Sequence, residues 1–302
     1  MKWIKRARIF DPTGKADWLV SHAAVPFADH VGGDVFRVYF TGRDGQNRGL
    51  IGYFDVDITE PTRIQYVHDA PLLPLGVLGA FDDHGLVGSF IVDSDGRKFC
   101  YYAGLTLGRT VPFYFFVGLA VSTDGGKAFR KFSAAPILER SSVDPYLTGH
   151  VCVRKENALW RMWYVSGQRW TASLPQPRHY YHIKYAESAD GILWRRDGVV
   201  SIDFRAGEYA IARPSVVRDP DCYRMWYCYR GDSYRIGYAE SSDGRRWERR
   251  DADGGLDVSR SGWDSGMTAY PFVFDHKDVR YMLYNGNDYG KAGIGLAVLD
   301  RR

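Results

Sequence analysis

The chain has 302 residues, of which 45% are hydrophobic and 25% are charged. This composition supports a large buried core and excludes a disordered, collagen-like or coiled-coil protein. The 40 Lys and Arg residues face 36 Asp and Glu residues, and the formal charge is +4. Because this charge is small and evenly spread, we expect neither nucleic acid nor a membrane as partner, and a small ligand instead.

The residue types indicate a β-rich protein with many tight turns. Aromatic residues make up 15% of the chain, and there are 33 Gly residues. The segment MKWIKRARIFDPTG contains no apolar run of signal-peptide length, and no run of about 18 apolar residues occurs in the sequence. We therefore expect a cytoplasmic protein.

The four cysteines form no CxxC pair. Cys100, Cys152 and Cys228 lie within the apolar runs FCYY, VCV and WYCY, where a thiol behaves as a small hydrophobic side chain. For all four, Cys222 included, we expect reduced, buried thiols and no metal site or other cofactor.

A short strand-like pattern that ends at Gly occurs five times along the chain. It reads VYFTG, CYYAG, MWYVSG, MWYCYRG and MLYNG, and its equivalent aromatic residues are Phe40, Tyr102, Tyr164, Tyr227 and Tyr284. They are spaced 62, 62, 63 and 57 residues apart. Five units of about 60 residues thus account for the chain, and we expect a single domain over residues 1–302.

Each unit shows signals for further strands on both sides of this pattern. An apolar run precedes it by 13 or 14 residues, anchored at Pro26, Gly88, His150, Pro214 and Pro271. A near-alternating strand follows it, and in three units a Ser-x-Asp-Gly turn comes next, at Ser122, Ser188 and Ser241. An aromatic residue after each turn begins another predicted strand, at Phe129, Trp194 and Trp247.

Four antiparallel strands per unit, repeated five times, predict an all-β, five-bladed β-propeller with four-stranded antiparallel blades. The fifth unit stops at GIGLAVLDRR without its outer strand, whereas residues 2–10 (KWIKRARIF) form a spare strand. We expect this N-terminal strand to complete the last blade. The three Ser-x-Asp-Gly turns are expected to be structural.

Carboxylates stand at one register in three consecutive units. Asp82, Asp144 and Glu208 each lie six residues before the anchor of their unit, while Val20 and Ser265 occupy this position in the first and fifth units. Either these side chains form an active site at the propeller axis, or they accept backbone N–H groups at the turns that enter the blades.

Further polar and aromatic side chains lie near the start of the predicted first strands or just after the predicted second strands. In a propeller blade these positions lie at the same end of the axis. Arginine gives bidentate donors, and aromatic faces stack on sugar rings. A set of these side chains around the axis therefore suits a polyhydroxylated or anionic ligand. Inter-blade ion pairs are the alternative for any single Arg. The predicted binding residues are His22, Arg43, His84, Trp170, Arg213, Arg230, Asp264 and Asn287.

These features resemble the five-bladed propeller glycosidases: the arabinanase and xylosidase group, the invertase and levansucrase group, and the mannoside phosphorylases. Those families place Asp, Asp and Glu on successive blades, an order that Asp82, Asp144 and Glu208 match. The match is shifted by one blade, because the first unit carries Ser21-His22-Ala23 there. Segments such as EYAIARP and GWDSGMTAYP look more like an uncharacterised glycosidase-like group associated with polysaccharide biosynthesis.

The resemblance implies cleavage or transfer of a glycosidic bond by two carboxyl groups, one protonated and one ionised. Glu208 would be the general acid, Asp82 or its neighbour Asp83 the base or nucleophile, and Asp144 an orienting group. The expected partner is a sugar or sugar conjugate, neutral or anionic. Three alternatives stay open: a non-catalytic carbohydrate-binding or scaffold propeller, a phosphorylase or enzyme acting on an anionic or nucleotide-linked sugar, and a propeller enzyme of unrelated chemistry that uses His22 and His84 as a proton-transfer pair or metal site.

Overall fold

The computed structural model describes residues 1–173 and 175–300, and its regular structure is almost entirely β. The chain begins with β1 (Lys2–Phe10). Two short helices occur within the described ranges, an α-helix at Asp251–Gly254 and a 3-10 helix at Asp288–Gly290. Within those ranges, no helix has the length and apolar character needed to cross a membrane.

Antiparallel pairing arranges the strands in five successive sets of four. The first set consists of β2 (Ser21–Gly32), β3 (Val35–Arg43), β4 (Gly49–Asp57) and β5 (Ile64–Val67). The second consists of β6 (Gly85–Ser94), β7 (Arg97–Leu107), β8 (Phe113–Ser122) and β9 (Arg130–Lys131). The third consists of β10 (Thr148–Glu156), β11 (Leu159–Thr171), β12 (Arg178–Ser188) and β13 (Val200–Ile202).

The fourth set consists of β14 (Ala210–Arg218), β15 (Tyr223–Arg230), β16 (Tyr234–Ser241) and β17 (Glu248–Arg249). The fifth consists of β18 (Ala269–His276), β19 (Val279–Asn285), β20 (Ile294–Asp300) and the N-terminal strand β1. The predicted pairing of residues 2–10 with the last sheet is therefore observed, with Trp3 opposite Leu299.

The repeated sequence pattern lies on the second strand of each set, which is buried on both faces. Met225, Trp226, Tyr227 and Cys228 on β15 are all buried, as are Val38, Tyr39 and Phe40 on β3. A strand covered on both sides reads as a continuous apolar run instead of an alternating one. This double burial explains why the second strands gave the clearest repeat.

The fourth strands begin where predicted in two of the three units that have Ser-x-Asp-Gly turns. β9 and β17 follow Phe129 and Trp247 directly, but near Trp194 there is only an isolated bridge between Glu187 and Arg195. The strand starts later, at Val200, because Gly198 has a positive φ of 75° and Arg196 turns inward to Asp144. In all three turns the Ser hydroxyl and the Asp carboxylate accept backbone N–H groups.

The first strands of the five sets are neighbours. β2 contacts β6, β6 contacts β10, β10 contacts β14, β14 contacts β18, and β18 contacts β2. Each first strand also has a break in register at its anchor, where the residues left unpaired include Val25, His150, Arg213 and Tyr270. These four residues have positive φ values of 54°, 22°, 55° and 55°. Bulges of this kind re-aim side chains.

The cysteines differ from expectation at one position. Cys100, Cys152 and Cys228 are buried and all four thiols are free, as predicted. Cys222 is partly exposed, so the expectation of burial was wrong there. It precedes the first residue of β15, directly after the exposed turn that contains Asp221, and the interior of that sheet begins only beyond it.

Candidate functional site

A cavity of about 360 Å³ lies where the first strands meet. Val25, Val87, His150 and Tyr270 line it from the first strands of four sets. The rest of the wall comes from the ends of β3 and β7, the start of β8, the residue before β6, and the loops after β3 and β19. It includes Thr41, Arg43, Asn47, His84, Leu105, Leu107, Phe113, Phe115 and Tyr289. The bulges of the first strands thus place side chains of separate sets around one space.

Aromatic rings form much of this wall. The ring of His150 lies 6.1 Å from that of Tyr270, and Phe113 packs edge-on against Phe115 at 5.0 Å. Behind Phe113, the ring of Trp170 lies 5.4 Å away. Apolar ring faces beside a few polar groups are the usual lining of a small-molecule site.

Three guanidinium groups at or beside the cavity have no carboxylate partner in the described part of the chain. Arg43 donates to the side-chain oxygen of Asn47 at 2.8 Å. Arg213 is completely buried and donates to the carbonyl oxygens of Ser89 at 2.6 Å and Pro26 at 2.8 Å. Arg230 has a buried Nε with no hydrogen-bond partner among the described residues. Three guanidinium groups without a carboxylate partner thus lie at or beside a cavity whose described lining residues include no Asp or Glu.

His150 and His22 are neutral at pH 7. Burial, and then the charge of Arg213, lower the pKa of His150 to about 3, although part of its surface faces the cavity. Burial, and then Arg43 and Lys291, lower the pKa of His22 to about 4, while Asp288 acts in the opposite direction. Neutral rings can donate or accept hydrogen bonds but add no charge.

Asp82 and Asp144 lie in buried ion pairs away from the cavity lining. Asp82 accepts from the Nζ of Lys131 at 2.6 Å and from the Tyr102 hydroxyl at 3.0 Å. The carboxylate of Asp144 is fully buried. Its donors are Ser166 at 2.6 Å, Arg196 at 2.9 Å, Tyr164 at 3.1 Å and Lys184 at 3.3 Å.

Glu208 and Asp264 have similar partners. Arg249 donates to both oxygens of Glu208, at 2.6 and 2.8 Å, and the backbone N–H of Arg205 adds a third bond at 2.8 Å. Asp264 accepts from the Nζ of Lys5 at 2.6 Å and from the Tyr284 hydroxyl at 3.0 Å. Asp83 differs, because it is half-buried beside His84 and accepts the N–H of Gly79 at 2.9 Å.

The carboxylates share one structural contact across four sets. In each, a carboxylate accepts the hydroxyl of the repeat tyrosine on the second strand: the buried Asp82, Asp144 and Asp264 with Tyr102, Tyr164 and Tyr284, and the half-buried Asp251 with Tyr227. In the fourth set this partner is Asp251, on the short α-helix, and not Glu208. The catalytic assignment of Asp82, Asp144 and Glu208 stays a prediction. This geometry favours a structural role, but mainly through side-chain donors: of the three, only Glu208 accepts a backbone N–H group, that of Arg205, as the structural alternative expected.

The predicted binding residues divide into two groups. Arg43 and His84 line the cavity, and His22, Trp170 and Arg230 lie next to its lining residues. Arg213, Asn287 and Asp264 do not line it. Asn287 accepts the N–H groups of Gly266 and Met267 and donates to the carbonyl of Gly262, so it holds a loop.

Sequence reasoning missed His150, Tyr270 and Tyr289 as cavity residues. A signal was present for Tyr270, since it precedes the anchor Pro271 in the same way that Val25 precedes Pro26. Tyr289 sits in the 3-10 helix, where Asp288 and Tyr289 have φ values of 58° and 57°. Strained backbone of this kind is frequent at functional sites and gives no clear sequence signal.

A second depression, of about 550 Å³, lies beside Met1, Asp219, Arg224 and Arg280. Its arginines are already paired: Arg224 and Arg280 both donate to Asp219. The cavity between the first strands is the better candidate site, because its cations have no such partner in the described part of the chain.

Comparison with solved structures identifies the class of fold. The chain is similar to a glycosyl hydrolase from Bacteroides ovatus, with a TM-score of 0.72 and 15% identity over 97% of this chain and 91% of that one. It is also similar to a structure from the GH130 family of mannoside phosphorylases, which contains glycoside hydrolases that target beta-1,2 mannosidic linkages in Candida mannan. Here the TM-score is 0.70, with 14% identity over 99% of this chain and 94% of that one. The fold is that of the glycoside-hydrolase-like propellers.

A curated relative identifies the family. The chain is 42% identical over 301 residues to the uncharacterized protein Rv1502 of Mycobacterium tuberculosis, covering 99% of this chain and 100% of the relative. The chain therefore belongs to the same family as that protein. No family model matches the sequence.

Proposed function

We propose that the chain is a single five-bladed propeller domain that binds a sugar or sugar conjugate in the cavity between its first strands. The five sets of four strands and the contacts from β2 round to β18 and back support the blade count. The fold of the solved structures supports a carbohydrate ligand. The likeness to propellers of polysaccharide biosynthesis suggests a role in such a pathway, in the cytoplasm.

One observation carries this proposal: aromatic, histidine and arginine side chains line the cavity, and no Asp or Glu stands among its described lining residues. Aromatic faces and guanidinium donors suit a polyhydroxylated ligand. Cleavage of a glycosidic bond by the usual route needs two carboxyl groups on either side of that bond. Binding without carboxylate acid–base chemistry is therefore the function that this cavity supports best.

Isothermal titration with a panel of neutral sugars, sugar phosphates and nucleotide sugars tests the proposal. We expect binding by the wild-type protein and a loss of about tenfold or more in affinity in His84→Ala, whose side chain lines the cavity. His30→Ala is the matched control, because His30 is exposed near the other end of β2. Binding that is unchanged in His84→Ala would overturn the proposed site, and absence of binding across the panel would overturn the proposed function.

A glycosidase is the second candidate, favoured by the fold of the solved structures. It requires Glu208 to leave Arg249 and donate a proton, with Asp83, beside His84, as base or nucleophile. Turnover of aryl glycosides that falls more than about tenfold in both Glu208→Gln and Asp83→Asn, with folding intact, would establish this candidate over pure binding. Phosphate-dependent turnover would indicate a phosphorylase.

A further inference from the structure

Arg230, at the end of β15, lies in a cage of tyrosine rings. Its guanidinium carbon is 5.2 Å from the ring centre of Tyr209, 5.4 Å from that of Tyr234 and 5.2 Å from that of Tyr289. Tyr234 is itself fixed by a hydroxyl–hydroxyl contact of 2.5 Å with Tyr181. The rings hold the guanidinium plane in place through cation–π contacts.

No ion pair fixes the guanidinium of Arg230. Among the described residues no carboxylate pairs with it, and its buried Nε has no acceptor. Arg249 also has a buried Nε without an acceptor, but its terminal nitrogens bind Glu208, and Arg280 binds Asp219. Arg230 as a whole is half-buried, so its terminal nitrogens are the donors that can meet an external anion, since planar guanidinium donors favour recognition of oxyanions.

The cage opens toward the cavity. Tyr289 is 36% exposed, and its ring both lines the cavity and contacts Arg230. Arg43 stands on the cavity wall and Arg213 lies near His150, so positive charge comes from more than one side. Asp288, which precedes Tyr289, and Lys291 both act on His22, and their charges oppose each other.

We propose that Arg230 and its tyrosine cage form a subsite for the phosphate group of a sugar phosphate or nucleotide sugar. The inference rests on the proposed function and adds the substrate class. A phosphate ester carries about −1.5 to −2 charges near pH 7, so it is attracted more strongly than a single carboxylate to guanidinium groups that have no carboxylate partner. The sugar ring would then lie against the aromatic wall of the cavity at Phe113 and Tyr270.

Titration of four named probes tests this inference: glucose, glucuronic acid, glucose 1-phosphate and UDP-glucose. We expect glucose 1-phosphate or UDP-glucose to bind at least about tenfold more tightly than glucose and glucuronic acid. Arg230→Gln should remove this advantage. Arg6→Gln, on the exposed side of β1, is the matched control and should bind like the wild type.

Three further measurements support this test. Near-UV circular dichroism reports whether the tertiary packing of the aromatic side chains is retained in Arg230→Gln. In the wild type, the affinity for glucose 1-phosphate should fall as salt rises, whereas the affinity for glucose should not. Arg230→Lys, which keeps the charge but loses the planar donors, should bind the phosphate ester with intermediate affinity.

The outcomes separate the two proposals. If glucose binds in a manner that depends on His84 but phosphate esters bind no more tightly, the phosphate subsite is wrong and the sugar site stands. Equal affinity for glucuronic acid and glucose 1-phosphate would overturn the choice of phosphate over carboxylate. If no probe binds, both proposals fail.

Discussion

Individual carboxylates in this fold are surrounded by donors from more than one strand. Asp144 accepts from Ser166 and Tyr164 on β11, from Lys184 on β12 and from Arg196 beyond it. Desolvation of such a group is offset only while every partner remains. A carboxylate at this position therefore contributes to stability whether or not it has any role in chemistry.

Replacement of Asp144 is expected to destabilise the fold. Asp144→Asn removes the negative charge and leaves Lys184 and Arg196 without their buried partner, at a cost of about 3–5 kcal/mol. Urea unfolding measures this free energy. Asp232→Asn is the control, because Asp232 is exposed, and it should change stability by less than about 0.5 kcal/mol. A loss at Asp144 no larger than in the control would rule out the structural role.

His150 gives the stability a predictable dependence on pH. Its pKa is about 3 in the folded protein and about 6.5 in the unfolded chain, so the unfolded state binds more protons between these values. The contribution of the neutral His150 ring to the free energy of unfolding is fully present above about pH 6.5, and it is lost as the pH falls toward 3. Between pH 6 and 4 this single group should cost the wild type about 1.4 kcal/mol per pH unit.

The comparison with His150→Gln isolates this effect, because the other histidines contribute equally to both proteins. The free energy of unfolding of the variant should fall less steeply with decreasing pH, measured by urea unfolding at several pH values. Parallel curves for the two proteins would show that His150 does not stay neutral in the fold.

At the scale of elements, the N-terminal strand joins the two ends of the chain. β1 pairs with β20, and Trp3 is buried against the ring of Trp226 at 5.6 Å. The indole N–H of Trp3 donates to the carbonyl of Gly254 at 3.0 Å, and Lys5 reaches Asp264. The strand thus contacts elements of both the fourth and fifth sets.

Truncation of Trp3 tests this attachment. Trp3→Ala removes a large buried ring and its hydrogen bond, and we expect a loss of about 3–5 kcal/mol in the free energy of unfolding. Lys2→Ala, on the exposed neighbouring residue, should have almost no effect. Similar stabilities of the two variants would mean that β1 is only loosely attached.

At the scale of the whole molecule, contacts between neighbouring first strands bring the last set back to the first. Arg213, on the first strand of the fourth set, donates to the carbonyls of Pro26 in the first set and Ser89 in the second. The cavity lies where these strands meet, and its described lining residues come from the first, second, third and fifth sets. Lys2 lies opposite Asp300, which places the first and last described strands side by side.

A circular permutant tests this arrangement. New termini between Ser133 and Ala134, in an exposed segment, with a short glycine linker joining residues 302 and 1, should fold with the near-UV circular dichroism of the wild type. Deletion of residues 2–10 without permutation should abolish the cooperative transition or lower its midpoint strongly. Misfolding of the permutant together with a stable deletion variant would contradict a ring joined through β1.

Much of the fold was predictable from the sequence because its signals are local and repeated. The second strands are buried on both faces and therefore produce apolar runs at a regular spacing, and the Asp-Gly turns mark strand ends. The fourth strand of the third set was misplaced, since the inward turn of Arg196 toward Asp144 depends on a contact between distant residues. The partial exposure of Cys222 likewise depends on the turn before β15.

For the candidate site too, some features follow from local sequence and others only from the tertiary structure. The sequence by itself determined the five repeats, the pairing of the N-terminal strand and the ends of strands where Arg43 and His84 lie. Only the tertiary structure decided which polar groups face the cavity. The predicted catalytic carboxylates form ion pairs with cations elsewhere in the chain: Asp82 with Lys131, Asp144 with Arg196 and Glu208 with Arg249. Arg230 instead contacts tyrosine rings, and its Nε has no acceptor in the described part of the chain. The charge that each side chain meets is set by residues far away in sequence, and no local pattern records that meeting.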